Sequence, residues 1–213
     1  MSLKVKEIFK SIQGESTYVG LPCVFVRLAG CNLRCAYCDT PYAWEGGRDT
    51  EIGDVLKRVG ESCARLVEIT GGEPLLQRET PELARLLCEA GYTVLVETNG
   101  SLDISVLDKR VVRIMDLKCP SSGESEKMLL DNVDHLTAMD QVKFVIASRG
   151  DYDWAKDRIL GLGLQGKCEM LLSAAFGRIE PREIVAWMLR DDLKARFQLQ
   201  AHKYAWPPGA RGV

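Results

Sequence analysis

The sequence predicts an α/β fold: an incomplete (β/α)6-type partial barrel behind an N-terminal extension. Three observations point to it. From residue 24 onward, short apolar runs alternate with amphipathic helical stretches, the pattern of strand–helix units that assemble a parallel sheet. These units number roughly six and shorten in the second half, too few for an eight-fold barrel. Uncommon polar residues also recur just after the apolar runs, where ligands gather in parallel α/β folds.

Residues 1–22 precede the repeating pattern and form the extension. The first strand is expected at 24–28. Thr50 can cap a helix whose Ile52, Val55, Leu56 and Val59 share one face. A strand at 66–70 leads to a helix opened by Thr80-Pro81, with Leu83, Leu86, Leu87 and Ala90 on one side and Gly91 as its stop. Strands at 92–97 and 111–117 enclose a short helix at 103–109. A polar loop at 120–126 is followed by a weakly helical 127–138 and a strand at 142–147. A helix at 153–160, a strand at 169–173, a proline-opened helix at 181–190 and a strand at 197–201 complete the series. Pro207-Pro208 keeps the tail out of a helix.

At 213 residues, with 46% hydrophobic and 27% charged, the chain suits a single domain, 1–213, with a real core. The net charge of −2 carries no basic footprint, so no nucleic-acid partner is expected. No apolar run has the length of a membrane span or the layout of a signal peptide, which excludes a membrane partner and points to the cytoplasm. Eight cysteines in such a protein read as reduced thiols. Cys23, Cys63, Cys88, Cys119 and Cys168 suit small core positions, although Cys119 lies in a candidate site loop.

The remaining three are Cys31-x3-Cys35-x2-Cys38, directly after the first strand. A structural zinc site needs four protein ligands, and no second CxxC or HxxxH lies nearby to complete it. An iron–sulfur cube is usually held by four cysteines; held by three, it keeps one iron open to another ligand. With Tyr37 before the last cysteine, the loop resembles the cluster loop of radical S-adenosylmethionine (SAM) enzymes, a partial-barrel superfamily. The resemblance implies a [4Fe-4S] cluster on Cys31, Cys35 and Cys38, with SAM on the open iron and an external one-electron reductant.

Gly71-Gly72-Glu73-Pro74 follows the second strand. Read alone it is an ordinary βα turn, or a place where backbone approaches a ligand. Beside the cysteine loop it resembles the GGE motif that receives the amino group of SAM. The same resemblance places Tyr37, Asp39, Asn99, Lys118, Ser121, Ser122, Ser173 and Phe176 around the cofactor. On their own, Asn99 and Lys118 are polar strand ends, and Tyr37 and Phe176 plausible core aromatics.

Gln13-Gly14-Glu15 offers an amide, open backbone and a carboxylate together, groups that match the donors on the edge of a guanine- or pterin-like ring. The bland alternative is a polar hairpin turn. Together with Cys38-Asp39-Thr40 and the ending from Gln200 and His202 to Val213, the chain resembles the 7-carboxy-7-deazaguanine synthase family over nearly its whole length. The resemblance implies a radical SAM carbon–nitrogen lyase that rearranges 6-carboxy-5,6,7,8-tetrahydropterin to the deazaguanine with loss of ammonia, in queuosine and 7-deazapurine biosynthesis. It further implies that Ile12, Gln13, Gly14, Glu15, Thr70 and His202 bind the ring. Arg27 would take the substrate carboxylate, Thr40 would bind Mg2+, and residues 202–213 would fold over the pocket with Val213 near the ring. A homodimer is also implied. Two other readings use the same cysteines: an activating enzyme for a glycyl-radical protein, and a non-catalytic zinc module.

Overall fold

The structure, a computed structural model, describes residues 1–213. Strands β1 (Ser2–Ile12) and β2 (Pro22–Leu28) pair antiparallel, and β3 (Arg48–Glu51) adds to the free edge of β1. From β2 the sheet continues in parallel through β4 (Leu66–Gly71), β5 (Thr93–Thr98), β6 (Val112–Asp116), β7 (Gln141–Ile146), β8 (Glu169–Ala174) and β9 (Arg196–Gln198). The nine strands run in the order β3-β1-β2-β4-β5-β6-β7-β8-β9, with β3 and β9 as unjoined edges, so the barrel stays open.

Helices α1 (Ile52–Gly60), α2 (Thr80–Glu89), α3 (Arg149–Gly161) and α4 (Pro181–Arg190) cover one face of the sheet. Each buries an apolar stripe, such as Ile52, Val55 and Val59 on α1 and Leu83, Ala84 and Leu87 on α2. Ser148 accepts from the Asp151 amide (3.1 Å) to start α3, and Glu180 and Glu183 cap α4 reciprocally. No helix is long and apolar enough to cross a membrane.

Period-two alternation sorts each parallel strand into two faces. Val24, Val26, Val67, Ile69, Val94 and Val96 point outward into the cluster under α1 and α2. Val142, Phe144, Ile146, Met170 and Leu172 do the same under α3 and α4. Burying one such side chain is worth about 1.5–3 kcal/mol, so this layer drives folding. The inner face is apolar at its base, where Cys23, Phe25, Leu66, Leu95, Val112 and Ile114 meet. Toward the carboxyl ends it turns polar: Arg27, Glu68, Thr70, Glu97, Asp116 and Lys143 all line a cavity.

Several elements differ from the sequence reading. Thr50 lies in β3, opposite Leu3, rather than capping α1, because the edge of β1 takes the backbone of residues 48–51 as a ladder. Residues 103–109 form no helix. The carboxylates of Asp103 and Asp108 accept from the amides two residues on (2.8 and 2.9 Å), turns that compete with helical bonding. Within 127–138 only a 3₁₀ turn, Leu130–His135, forms; there Asn132 ties itself to Ile104, Gly100 and Leu102 instead. The last strand ends at Gln198, after which the chain turns inward and the Ala201 amide donates to Gly14 (2.9 Å).

Candidate active site

A cavity of about 670 Å³ opens at the carboxyl ends of the strands. The loop after β2 forms one wall and carries Cys31, Cys35 and Cys38, all partly exposed and unpaired. Its backbone is tethered on several sides. Gly30 donates to Ala43 (2.9 Å), Arg34 to Glu124 (2.7 Å) and Ala36 to Ser122 (3.0 Å), while Tyr37 Oη donates to the Val145 carbonyl (3.1 Å). Burial pushes the Cys35 thiol up to about 11 and raises Cys31 as well. The Leu33 amide points at Cys31 Sγ (3.4 Å), a donor directed at sulfur.

Gly71 and Gly72 follow β4 and pass directly over that loop. A Cβ on Gly71 would overlap the Leu28 backbone; one on Gly72 would overlap the Gly30 carbonyl and stand 2.8 Å from Cys31 Cβ. Glycine is required at both for the two backbones to meet. Glu73 lies beneath them, fully buried. Its oxygens accept from the Leu75 amide (2.9 Å), Thr98 Oγ1 (2.9 Å) and the Asn99 amide (2.6 Å), fixing the loop after β5 against the loop after β4. Asn99 Nδ2 donates to Asn32 Oδ1 (3.0 Å) beside Cys31.

The opposite wall is built from the 13–21 turn, α5 (His202–Ala205) and the tail, with Val213 reaching the cavity. Arg27 is clamped by Glu7 at Nε (2.8 Å) and flanked by the rings of Phe9 and Tyr42, each 5.9 Å from the guanidinium carbon. Its terminal nitrogens have no protein partner and remain available for a forked contact. His202 packs on Gly14, where a Cβ would overlap its ring; burial depresses the imidazole below its usual range. Asp39, half exposed at the mouth, would be raised by burial, but Lys203 at 3.0 Å outweighs this and holds its carboxyl at about 2.

Between these walls the inner strand faces hold a charged floor. Lys143 sits among Glu15 (3.1 Å), Glu97 and Asp116 (3.6 Å), and Asp116 also pairs with Lys118 (2.7 Å). Burial alone would lower Lys143, but the three carboxylates outweigh it and raise it; in return Lys143 overrides burial to hold Glu97 down. Glu15 also accepts from Gln198 (3.3 Å) and Gln200 (2.9 Å).

Most residues singled out from the sequence converge here. Ile12, Gln13, Gly14, Glu15, Arg27, Thr70, His202 and Val213 line the cavity together with the three cysteines, Tyr37, Asp39, Thr40, Gly71, Gly72, Asn99, Lys118 and Phe176. Four do not reach the wall. Glu73 is spent on the loops above. Ser121 faces Ser148 and Asp151, and Ser122 closes its own turn by donating to the Cys119 carbonyl (2.6 Å), because the turn Pro120–Ser122 bends toward the start of α3. Ser173 is buried within the sheet without a partner for its hydroxyl. Cys119 packs in the core under α3. The sequence reading did not single out Glu68, Lys143, Lys203 or Arg178, which also line the cavity. For Glu68 and Lys143 the signal was present as a charge inside an apolar strand, on the face opposite the helix-covered one.

The donor set fits a cluster rather than one ion. No three cysteine, histidine or acidic side chains converge on an ion-sized point, whereas a mononuclear zinc site needs four ligands at about 2.0–2.3 Å from one centre. Three soft thiols on one wall of a cavity of about 670 Å³ suit a larger iron–sulfur group and a ligand held against it.

Comparison with known proteins agrees with this geometry. Residues 26–119 match the family model described as the Radical SAM superfamily. The chain is 49% identical to the 7-carboxy-7-deazaguanine synthase of Chlorobaculum tepidum, covering 99% of this chain and 97% of the relative. It is 41% identical to that of Koribacter versatilis, covering 99% and 100%. The crystal structure of QueE from Escherichia coli superposes with a TM-score of 0.81 at 22% identity, covering 95% of both chains, which speaks for the fold. With cluster wall, glycine crossing and likeness along its full length in agreement, this chain belongs to the 7-carboxy-7-deazaguanine synthase family of radical SAM enzymes.

Proposed function

We propose that the protein is a radical SAM lyase that converts 6-carboxy-5,6,7,8-tetrahydropterin to 7-carboxy-7-deazaguanine with loss of ammonia, in the biosynthesis of queuosine and other 7-deazapurines. Near-full-length similarity to relatives of that name supports it; similarity of this kind favours neither a glycyl-radical activating enzyme nor a zinc module. The observation that carries the reading is the shared cavity, with three thiols on one wall and Arg27, Gln13, Glu15 and His202 on the other.

When bound, the cluster and SAM would supply the one-electron and hydrogen-abstraction chemistry. The chain's own residues hold the parts in register. Cys31, Cys35 and Cys38 would hold the cluster. The carbonyls around Gly71 and Gly72 would accept from the SAM ammonium, since Glu73 is fully buried behind them and does not reach the cavity. Asn99, Lys118 and Asp39 line the cofactor side with Tyr37 and Phe176, whereas Ser121, Ser122 and Ser173 act behind it. Arg27 takes the substrate carboxylate through its free terminal nitrogens. Glu15, kept in place by Lys143 and two glutamines, accepts from the ring's amino and N–H groups, with Gln13, the backbone of Ile12 and Gly14, Thr70, His202 and Val213 around it. The cysteine loop, the 13–21 turn and α5 would limit the access of stray water and C–H bonds to the radical.

Magnesium belongs to the same reading. Thr40 lines the cavity with its Oγ1 4.0 Å from Cys38 Sγ and would give that ion one oxygen, with substrate and water completing its shell. An external one-electron reductant, a homodimer and a cytoplasmic location complete the proposal. Anaerobic reconstitution followed by product analysis with 6-carboxytetrahydropterin tests it. Turnover to the deazaguanine is expected; Cys35→Ala should lose iron and turnover together. Arg27→Ala should keep its iron while KM rises at least about tenfold. Zinc in place of iron and sulfide would overturn the reading.

A further inference from the structure

Glu68 is a carboxylate-bearing residue in the middle of β4, facing inward, one row below Arg27 and Thr70: the register pairs Arg27 with Thr70 and Phe25 with Glu68. Its relative exposure is 4%, and no lysine or arginine makes an ion pair with it. The charged groups facing it from neighbouring elements are Glu97 on β5, Lys143 on β7 and Glu15 in the 13–21 turn, with the Cys23 thiol of β2 close by. Lys143 is already committed to Glu15, Glu97 and Asp116. The one protein hydrogen bond to Glu68 comes from Gln13 Nε2, at Oε2.

That bond orients the whole group. Gln13 Oε1 accepts from the Glu15 amide (3.0 Å), which fixes which end of the Gln13 amide is oxygen. Its nitrogen must therefore face Glu68, and Glu68 Oε2 must be the acceptor. The other oxygen, Oε1, has no protein partner and opens on the cavity.

We propose that Glu68 is a further substrate-contacting residue, whose Oε1 donates an O–H to the carbonyl oxygen of the pterin's pyrimidinone ring. The proposal rests on the substrate reading above, in which Arg27 takes the carboxylate and Glu15 takes the ring's donors. Of the ring's acceptors, its carbonyl oxygen is the stronger, the ring nitrogen N1 being the other. An unpaired carboxyl at this depth, beside Glu97, carries a proton; burial and that neighbour both raise it, against the Gln13 bond and Lys143. With Oε2 committed as acceptor, the proton lies on Oε1. The contact separates rings with an oxo group at that position from rings bearing an amino group, which would set donor against donor.

The test is equilibrium binding of 6-carboxytetrahydropterin to anaerobically reconstituted wild type, Glu68→Leu and Glu68→Gln, with iron content measured for each. Glutamine at 68 can accept from Gln13 and present N–H where the acid presents O–H. Glu68→Leu should weaken binding about tenfold or more at unchanged iron content, and Glu68→Gln should recover most of that loss. The infrared carbonyl band of a protonated carboxylic acid should be present in wild type and absent from Glu68→Gln. Equal weakening in both variants would mean that the ligand needs an anion there, and wild-type binding by Glu68→Leu would mean no contact; either overturns the proposal alone. Failure of the wild type to bind the pterin overturns the substrate reading and this proposal with it.

Discussion

Position 68 shows how a single buried acid links chemistry to stability. Its carboxyl is held above its ordinary value by burial and by Glu97, so the folded chain keeps a proton that the unfolded chain releases above about pH 4.3. The contribution of Glu68 to stability is therefore complete below that pH and falls as pH rises toward its folded titration point, by up to about 1.4 kcal/mol per pH unit. Glu68→Gln has no such proton to lose. Denaturant unfolding at several pH values should show its stability advantage growing from acid toward neutral; a gap that ignores pH would contradict this. The cysteine trio, Gly71-Gly72 and Gln13-Gly14-Glu15 were legible in the sequence because their spacing or pairing is uncommon. Glu68 and Lys143 were not, because a strand-interior charge is informative only once its face is known to line a cavity. Ser121 and Ser122 misled for the converse reason: their place after a strand was right, but the turn closes on itself.

Among the elements, the interlock of the 13–21 turn with α5 is the one that a small change would break. The Ala201 amide donates to the Gly14 carbonyl, and the His202 ring occupies the space where a Gly14 side chain would be. Gly14→Ala should displace His202 from the wall, raising KM for the pterin by about tenfold while iron loading stays at wild-type level. An unchanged KM would show that His202 does not depend on that contact. The parallel strands and the main helices were legible from periodicity. β1 and β3 were not: β3 is a polar edge ladder, and a bulge between Val5 and Glu7 interrupts the alternation of β1. The expected helix at 103–109 failed because its aspartates bond locally, a competition that apolar spacing does not report.

Across the whole molecule, one continuous sheet carries two separate helix-covered clusters, one around Leu87 and one around Phe144, both fully buried. If residues 1–213 fold as one domain, Leu87→Ala and Phe144→Ala should each cost about 2–5 kcal/mol and shift the same single unfolding transition. Two resolved transitions, each sensitive to one substitution, would divide the chain. The open barrel was legible as a class, because shortened strand–helix units cannot close a ring. Its two-sided lining was not, since the inner face mixes apolar and charged positions on the same strands.

The tethers on the cysteine loop carry a consequence for repair. Bonds from residues 30–37 reach the segment after the loop, the turns beyond β6 and the end of β7, so the thiol wall is braced from several directions by protein alone. Such a wall should act as a socket rather than a wrapper, keeping its shape when its inorganic contents are lost. Oxygen damage in this protein should thus be mended by resupplying iron and sulfide, with no refolding step between.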